Sequence, residues 1–276
     1  METELETLAI VTRSSRSAAY LNRVLDGLLC QSGAQMIWSI VTQTSMSAEH
    51  VMCIQRAQSQ GIEVVITEAQ KGLPLGQLAN LGVKATSTEF VLLHDDDDLL
   101  SKNFVHLALD KLRKKHECVA VTCHAAIIHE KKNKKRLDFV LSPGRRQVNH
   151  KQLSLDNLIA TNTLIYRRSI FDQIGGYPED VKVAEDWIFN LNLTKIGVIE
   201  IIPKVCAHVF IRKGGSSVNN EKNTCNVDHL KMRTHIRQTA GVHQNDSMSH
   251  LDVIKYILRR FFDRLSYNIT GRFLPR

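Results

Sequence analysis

The sequence predicts an α/β fold, a mostly parallel sheet flanked by helices on both faces, and three observations carry that expectation. Short apolar runs recur at residues 8–12, 36–42, 62–67 and 90–93, as expected of strands buried on both faces. Between them lie segments with apolar residues at helical spacing, the first marked by Leu21, Val24, Leu25, Leu28 and Leu29. The two kinds of segment alternate, and a βαβα alternation folds into parallel strands joined by crossover helices.

Taken in order, residues 8–12 predict the first strand, and the first helix ends near Gly33. A second strand over 36–42 leads to a helix over 48–58, and a third strand covers 62–67. Gly72, Pro74 and Gly76 mark a loop before a short helix over 78–84. The fourth strand, Phe90-Val-Leu-Leu93, runs directly into Asp95-Asp96-Asp97-Asp98. Further along, the pattern predicts a helix over 104–115, a strand over 119–128, a charged hairpin tip over 130–136, and a short helix over 168–173 stopped by Gly175-Gly176. A helix over 183–195 and strands over 199–203 and 205–211 follow. One domain over 1–245 is expected, with a nucleotide half over 1–100 and an acceptor half over 101–245, and a basic amphipathic helix over 246–276.

A chain of 276 residues with 43% hydrophobic and 23% charged residues suits a soluble globular protein. The acidic N-terminus lacks the basic and apolar regions of a secretory signal, and the six cysteines show no zinc or redox spacing. Both features point to the cytoplasm, so the sequons at Asn192, Asn245 and Asn268 carry little weight. The net charge of +8 suggests a polyanionic partner: nucleic acid, an anionic membrane surface or a phosphorylated substrate. No RNA-binding signature, zinc finger or aromatic-basic strip accompanies it, so nucleic acid is not among the expected partners, and a flat binding signal against DNA and RNA at low salt would dispose of it.

Four adjacent carboxylates repel one another, and a hard divalent cation relieves that repulsion. Set just past a strand of an open sheet, where ligands bind, such a cation can bridge a diphosphate. The bland alternative is a solvated acidic loop, with Asp98 or Ser101 capping the next helix.

The segment from Phe90 to Leu100 resembles the strand and D-x-D motif of family-2 inverting glycosyltransferases of the GT-A fold, a Rossmann-like mixed sheet flanked by helices. Leu78-Ala-Asn-Leu-Gly82 is similar to that family's A-R-N-x-G, with Ala79 in place of the arginine. Residues 167–179, Arg-Arg-Ser-Ile-Phe-Asp-Gln-Ile-Gly-Gly-Tyr-Pro-Glu, followed by Glu185-Asp186-Trp187, resemble its R-x-x-F-x-x-x-G-G-F-x-E and E-D-W segments. The resemblance covers residues 8–217. It implies transfer of a sugar from a nucleotide-sugar donor to a glycan or lipid-linked acceptor, with Mn2+ or Mg2+ as cofactor, in bacterial polysaccharide or lipopolysaccharide synthesis.

Residue by residue, the resemblance makes Asp186 the catalytic base and Glu185 its positioning partner. Asp97 becomes the direct metal ligand, with Asp95 beside it on the metal and donor side. Thr12, Arg13, Ser14, Thr42, Asn80, Asp96 and Lys213 fall on the donor side, and Thr163 and Trp187 on the acceptor side. The chain departs from the family where V-D-D-G-S becomes Val41-Thr42-Gln43-Thr44-Ser45 and where P-T-x-N becomes Thr12-Arg13-Ser14-Ser15. It departs again where H-x-G-S becomes Lys213-Gly214-Gly215-Ser216, because a protonated lysine cannot ligate a metal. Lys213 can instead pair with a diphosphate, and His208 is the nearest imidazole.

In the tail, Leu251, Ile254, Leu258, Phe261, Phe262 and Leu265 repeat at helical spacing among Lys255, Arg259, Arg260 and Arg264. Such a helix either lies on an anionic membrane, placing the protein peripherally on its inner face, or docks on the catalytic domain. Three other function classes remain at this stage: a non-catalytic nucleotide-sugar-binding protein, a metal-dependent phosphohydrolase or nucleotidyltransferase, and, behind these, a basic nucleic-acid-binding protein.

Overall fold

The computed structural model describes residues 6–14, 17–131, 134–141, 145–212 and 227–239. Strands β1 (Thr7–Ser14), β2 (Gln35–Thr42), β3 (Glu63–Glu68) and β4 (Phe90–Leu93) form a parallel block in the order β3-β2-β1-β4. Helices α1 (Ala18–Leu28), α2 (Ala48–Ser59) and α3 (Leu75–Lys84) make the crossovers. The sheet then continues past β4 through β9 (Ile165–Arg167), β6 (Cys118–Lys131) and β10 (Val198–Arg212) to β5 (Leu99–Leu100). Strand β9 is antiparallel to both of its neighbours, β10 runs parallel to β6, and β5 closes the edge antiparallel to β10. Strand β7 (Lys134–Leu141) makes a hairpin with β6, and β8 (Gln147–Val148) pairs with β10. The sheet is therefore mixed: a parallel half built as the alternation requires, and a second half reached by longer excursions.

The strands read as unbroken apolar runs because both faces of the sheet are covered. On β1, Leu8 and Ile10 face a core shared with Leu21, Leu25 and Leu28 of α1, Ile54 of α2, and Phe104 and Leu109 of α4 (Phe104–Lys114). The alternate residues Ala9 and Val11 face a second core with Ala79 and Val83 of α3, and with Phe171 of α6 (Arg168–Ile174). The same core takes Phe189 of α7 (Glu185–Ile196) and Leu153 of α5 (His150–Leu155). Residues of α8 (Val227–Thr239) also reach it through Ile236.

Several motif residues turn out to be packing devices. Gly82 lets α3 lie close on the sheet, since a Cβ there would sit 2.3 Å from Val11 Cγ1 and 2.8 Å from Val41 Cγ2. Arg168 donates to the carbonyls of Thr88 and Val83 and to Thr86 Oγ1, tying α6 to the α3–β4 connection. Phe171, Tyr177, Tyr166 and Phe189 form one aromatic cluster behind the sheet.

Two expectations about local structure are corrected. Residues 199–203 and 205–211 form a single strand, because bulges between Ile202, Val205 and Ala207 absorb Pro203 without ending the pairing. Neither Asp98 nor Ser101 caps α4: the residue before that helix is Asn103, in a left-handed conformation, and Asp98 is used elsewhere. The amphipathic helix expected over 246–276 and Lys213 lie outside the described residues. Among the described residues no helix is long and apolar enough to cross a membrane.

Candidate active site

The site forms at the carboxyl ends of β1 and β4. The two strands pair in parallel with Val11 opposite Leu93, and His94 N donates to Val11 O at 2.8 Å to extend the ladder. Continuing both strands by two residues brings Arg13 level with Asp95 on the face that also carries α3 and α7. There Arg13 Nη2 and Nε donate to Asp95 Oδ1 at 2.6 and 3.1 Å. Its Nη1 donates to Glu185 Oε1 at 2.7 Å and to the Leu75 carbonyl at 3.4 Å. Arg13 and Glu185 are both about 6% exposed as side chains, whereas Asp95 is 21% exposed and faces the solvent side of the triad. Burial opposes the charge on Arg13, and the two carboxylates reverse that effect, holding the guanidinium firmly protonated.

The remaining aspartates divide. Asp98 Oδ1 accepts from Phe210 N at 3.0 Å, which fastens the acidic turn to β10. Arg23 of α1 donates to the Asp97 carbonyl at 2.9 Å, pairs with Glu130 at 2.9 Å and stacks over the Phe210 ring at 4.4 Å. The acidic turn is thus held at the Asp97 carbonyl and at the Asp98 side chain, and Asp96 and Asp97 are both buried. His94, at the end of β4, is fully buried and meets the Asp95 carbonyl through Nδ1 at 2.8 Å; burial lowers its pKa, so it stays neutral.

Next to Glu185 stands Asp186, in the first turn of α7. Ala184 precedes the helix with φ 63°, a left-handed conformation rare for alanine, and turns both carboxylates away from the incoming chain. Asp186 Oδ2 accepts from Thr161 Oγ1 at 3.1 Å and from Asn157 Nδ2 at 3.3 Å, while Oδ1 accepts from Trp187 N at 2.7 Å. A helix N-terminus favours a carboxylate, but desolvation and the neighbouring Glu185 outweigh it, and the carboxyl is pushed up to about 6.

The other expected site residues are placed as follows. Thr12 lies on the opposite face of β1 from Arg13, and its hydroxyl accepts from Trp38 Nε1 at 2.9 Å. Ser14 pairs in register with Thr42 at the end of the parallel block, and Thr42 Oγ1 donates to the Thr44 carbonyl at 2.8 Å. Asn80 is a clamp: Nδ2 donates to Tyr177 O and Glu179 Oε1, and Oδ1 accepts from Tyr177 N. Thr163 is buried against Thr122, and Trp187 points inward, donating to the Leu153 carbonyl at 2.7 Å. His208 is buried on β10. Asn157, Thr161 and Arg23 escaped notice in the sequence, since no local pattern marks a polar residue whose partner lies 25 or more positions away.

Among the described residues no three His, Cys, Asp or Glu side chains converge into a complete metal cage. The residues present still fit a hard divalent cation of the magnesium or manganese kind. Such an ion commonly takes one or two protein carboxylates and completes its shell with phosphate oxygens and water. Asp97 and Asp95 supply hard oxygen donors at the strand end where a diphosphate would lie.

Comparison with known proteins places the fold. The fold matches S. aureus TarS (residues 1–349) in complex with UDP-GlcNAc, with a TM-score of 0.63 at 15% identity over 96% of this chain and 76% of that one. It also matches the mannosyltransferase PcManGT from Pyrobaculum calidifontis in complex with GDP-Man and manganese, with a TM-score of 0.58 at 11% identity over 98% and 89%. A search of functionally curated proteins finds no significant match. The sequence pattern described as Glycosyltransferase like family 2 matches residues 6–213, which span β1 to the end of β10, and the chain belongs to that family, with the GT-A fold.

Proposed function

We propose that the protein transfers a sugar from a nucleotide-sugar donor to an acceptor hydroxyl in a single displacement that inverts the anomeric configuration, with Asp186 as general base. The observation that carries this reading is the state of Asp186. Its carboxylate is fixed by Thr161, Asn157 and its own helix, and its proton affinity is raised into the range useful at neutral pH. Above about pH 6 it is ionised and ready to take the acceptor's proton as the hydroxyl oxygen bonds to the anomeric carbon. The bond to the donor diphosphate breaks on the opposite side, so one base suffices and no protein nucleophile is required.

Asp97, with Asp95, would hold a divalent cation, manganese or magnesium, which when bound supplies positive charge for the leaving diphosphate. Asp96, Ser14, Thr42 and Lys213 belong to the donor side of this reading, and Thr163 and Trp187 to the acceptor side. UDP-GlcNAc and GDP-Man, held by the two matched structures, define the donor class to test first. The acceptor in this proposal is a glycan or a lipid-linked glycan of bacterial surface polysaccharide assembly, met at the inner face of the membrane. The basic amphipathic sequence over 246–276 supports that setting. Loss of sedimentation with anionic liposomes on deletion from Asp252 onward is the expected result; equal sedimentation would refute the membrane role.

The decisive test is transfer from UDP- and GDP-sugars in the presence of manganese, with the product anomer assigned by NMR. Asp186→Asn and Asp97→Ala should each lower kcat by at least about a hundredfold. Wild-type rates in both, or a product of retained configuration, would overturn the mechanism.

A further inference from the structure

Arg13 occupies a position that general considerations do not require. It is a buried cation at the end of the central strand, and its donors go to carboxylates 82 and 172 residues away. One side of it is the acidic turn through Asp95; the other is the head of α7 through Glu185. We propose that Arg13 is a positioning residue for transfer, which ties the donor-side turn to the helix that carries the base and balances the charge of Glu185 beside Asp186. This inference rests on the reading of Asp186 as the base.

The surroundings of Asp186 make the balance specific. On its own helix the neighbouring charge is Glu185, which disfavours ionisation of Asp186, and from β1 the opposing charge is Arg13. The Tyr177 hydroxyl, in the loop before α7, is buried, raised well above its ordinary value and neutral. Helix α3 approaches here with Gly76, which carries no charge. From α5, His150 meets α7 only at Thr194, two turns on, and Asp156 is exposed and paired with Arg233 of α8. Asp172 of α6 acts on Tyr166 behind the sheet. Arg13 is thus the cation set against Glu185, and the same contact fixes the helix end in space. A packing role alone would tolerate a neutral side chain of similar length; a charge-balancing role would not.

The test is the acid limb of the kcat/KM profile for the acceptor, measured from pH 4.5 to 8.5 with saturating donor and manganese. The wild-type limb should fall near pH 6. Arg13→Met should move it alkaline by about one pH unit, a roughly fivefold loss at pH 6 beyond any loss at pH 8.5. Glu185→Gln should move it to lower pH, and the double variant should return it towards the wild-type position. Arg13→Lys, which keeps the charge, should keep the limb within a few tenths of a unit. A uniform loss of rate at every pH in Arg13→Met, with Glu185→Gln also leaving the limb in place, overturns the proposal and reduces Arg13 to a packing element. If Arg13→Met does not fold, the Glu185→Gln limb decides alone. Failure of the underlying reading looks different: Asp186→Asn would then retain transfer, or the wild type would show no acid limb.

Discussion

In the proposed mechanism, function and stability pull in opposite directions at Asp186. An unfolded chain ionises this carboxyl near pH 4, whereas the folded protein holds it protonated up to about 6. A raised native pKa stabilises the fold while the group is protonated, and that contribution is lost as pH rises through 6. At neutral pH the ionised carboxylate is therefore a cost, on the order of 1–2 kcal/mol once its partial exposure and the lost bond to Asn157 are allowed for. Asp186→Asn should raise the melting temperature at pH 7.5, by about 2–4 °C for a chain of this size, and leave it nearly unchanged at pH 4. Thermal unfolding at the two pH values checks this. Asn80 makes the converse case, for its three hydrogen bonds to residues 177–179 hold the chain that leads to α7. Asn80→Ala should destabilise by about 2–3 kcal/mol, since it leaves Tyr177 N and O without partners in a buried setting. Urea unfolding would measure it.

At the scale of elements, the closest approach is that of α3 to the segment before α7. A Cβ on Gly76 would lie 2.1 Å from the Pro178 carbonyl oxygen, so Gly76→Ala must push α3 and that segment apart. The gain in helix propensity, about 1 kcal/mol, is smaller than the overpacking cost of about 1–3 kcal/mol. The displacement also falls beside Glu185, 3.5 Å from the same added carbon. Gly76→Ala is therefore expected to lower both stability and transfer, read by unfolding and by kcat in parallel. Helix α8, beyond the family match, braces the segment that holds Asn157: Arg237 donates to the Leu155 carbonyl at 2.7 Å and Arg233 pairs with Asp156. The parallel block was legible in the sequence because each of its strands is an unbroken apolar run followed by an amphipathic helix. The Asp95–Arg13 contact was hidden only by register: once Val11 faces Leu93, residues 13 and 95 must meet. Strands β5, β8 and α5 were not legible, because two to six residues carry no measurable period. The work of Asn80 was not legible either, since a motif match names a position without saying which backbone will be drawn to its amide.

Across the whole molecule, one sheet carries the candidate site at the ends of β1 and β4, and the proposed donor side lies at the end of the parallel block. A nucleotide sugar that binds only the native state should raise the apparent stability by about 2.7 kcal/mol at a hundredfold excess over its Kd. Thermal shift with UDP- and GDP-sugars, with and without manganese, reads this, and the manganese-dependent part should vanish in Asp97→Ala. Strand β4 stands between β1 and β9, so the parallel block is not closed until residues 165–167 have joined it. The Arg13 contacts add a clock to that geometry. A ribosome making about 5–20 residues per second delivers Glu185 several seconds after Asp95. During that interval the nascent sheet holds a guanidinium with one counter-ion and an open strand edge at β4. Synonymous changes that slow translation between residues 100 and 185 should therefore lower the soluble yield without altering a single contact of the folded protein.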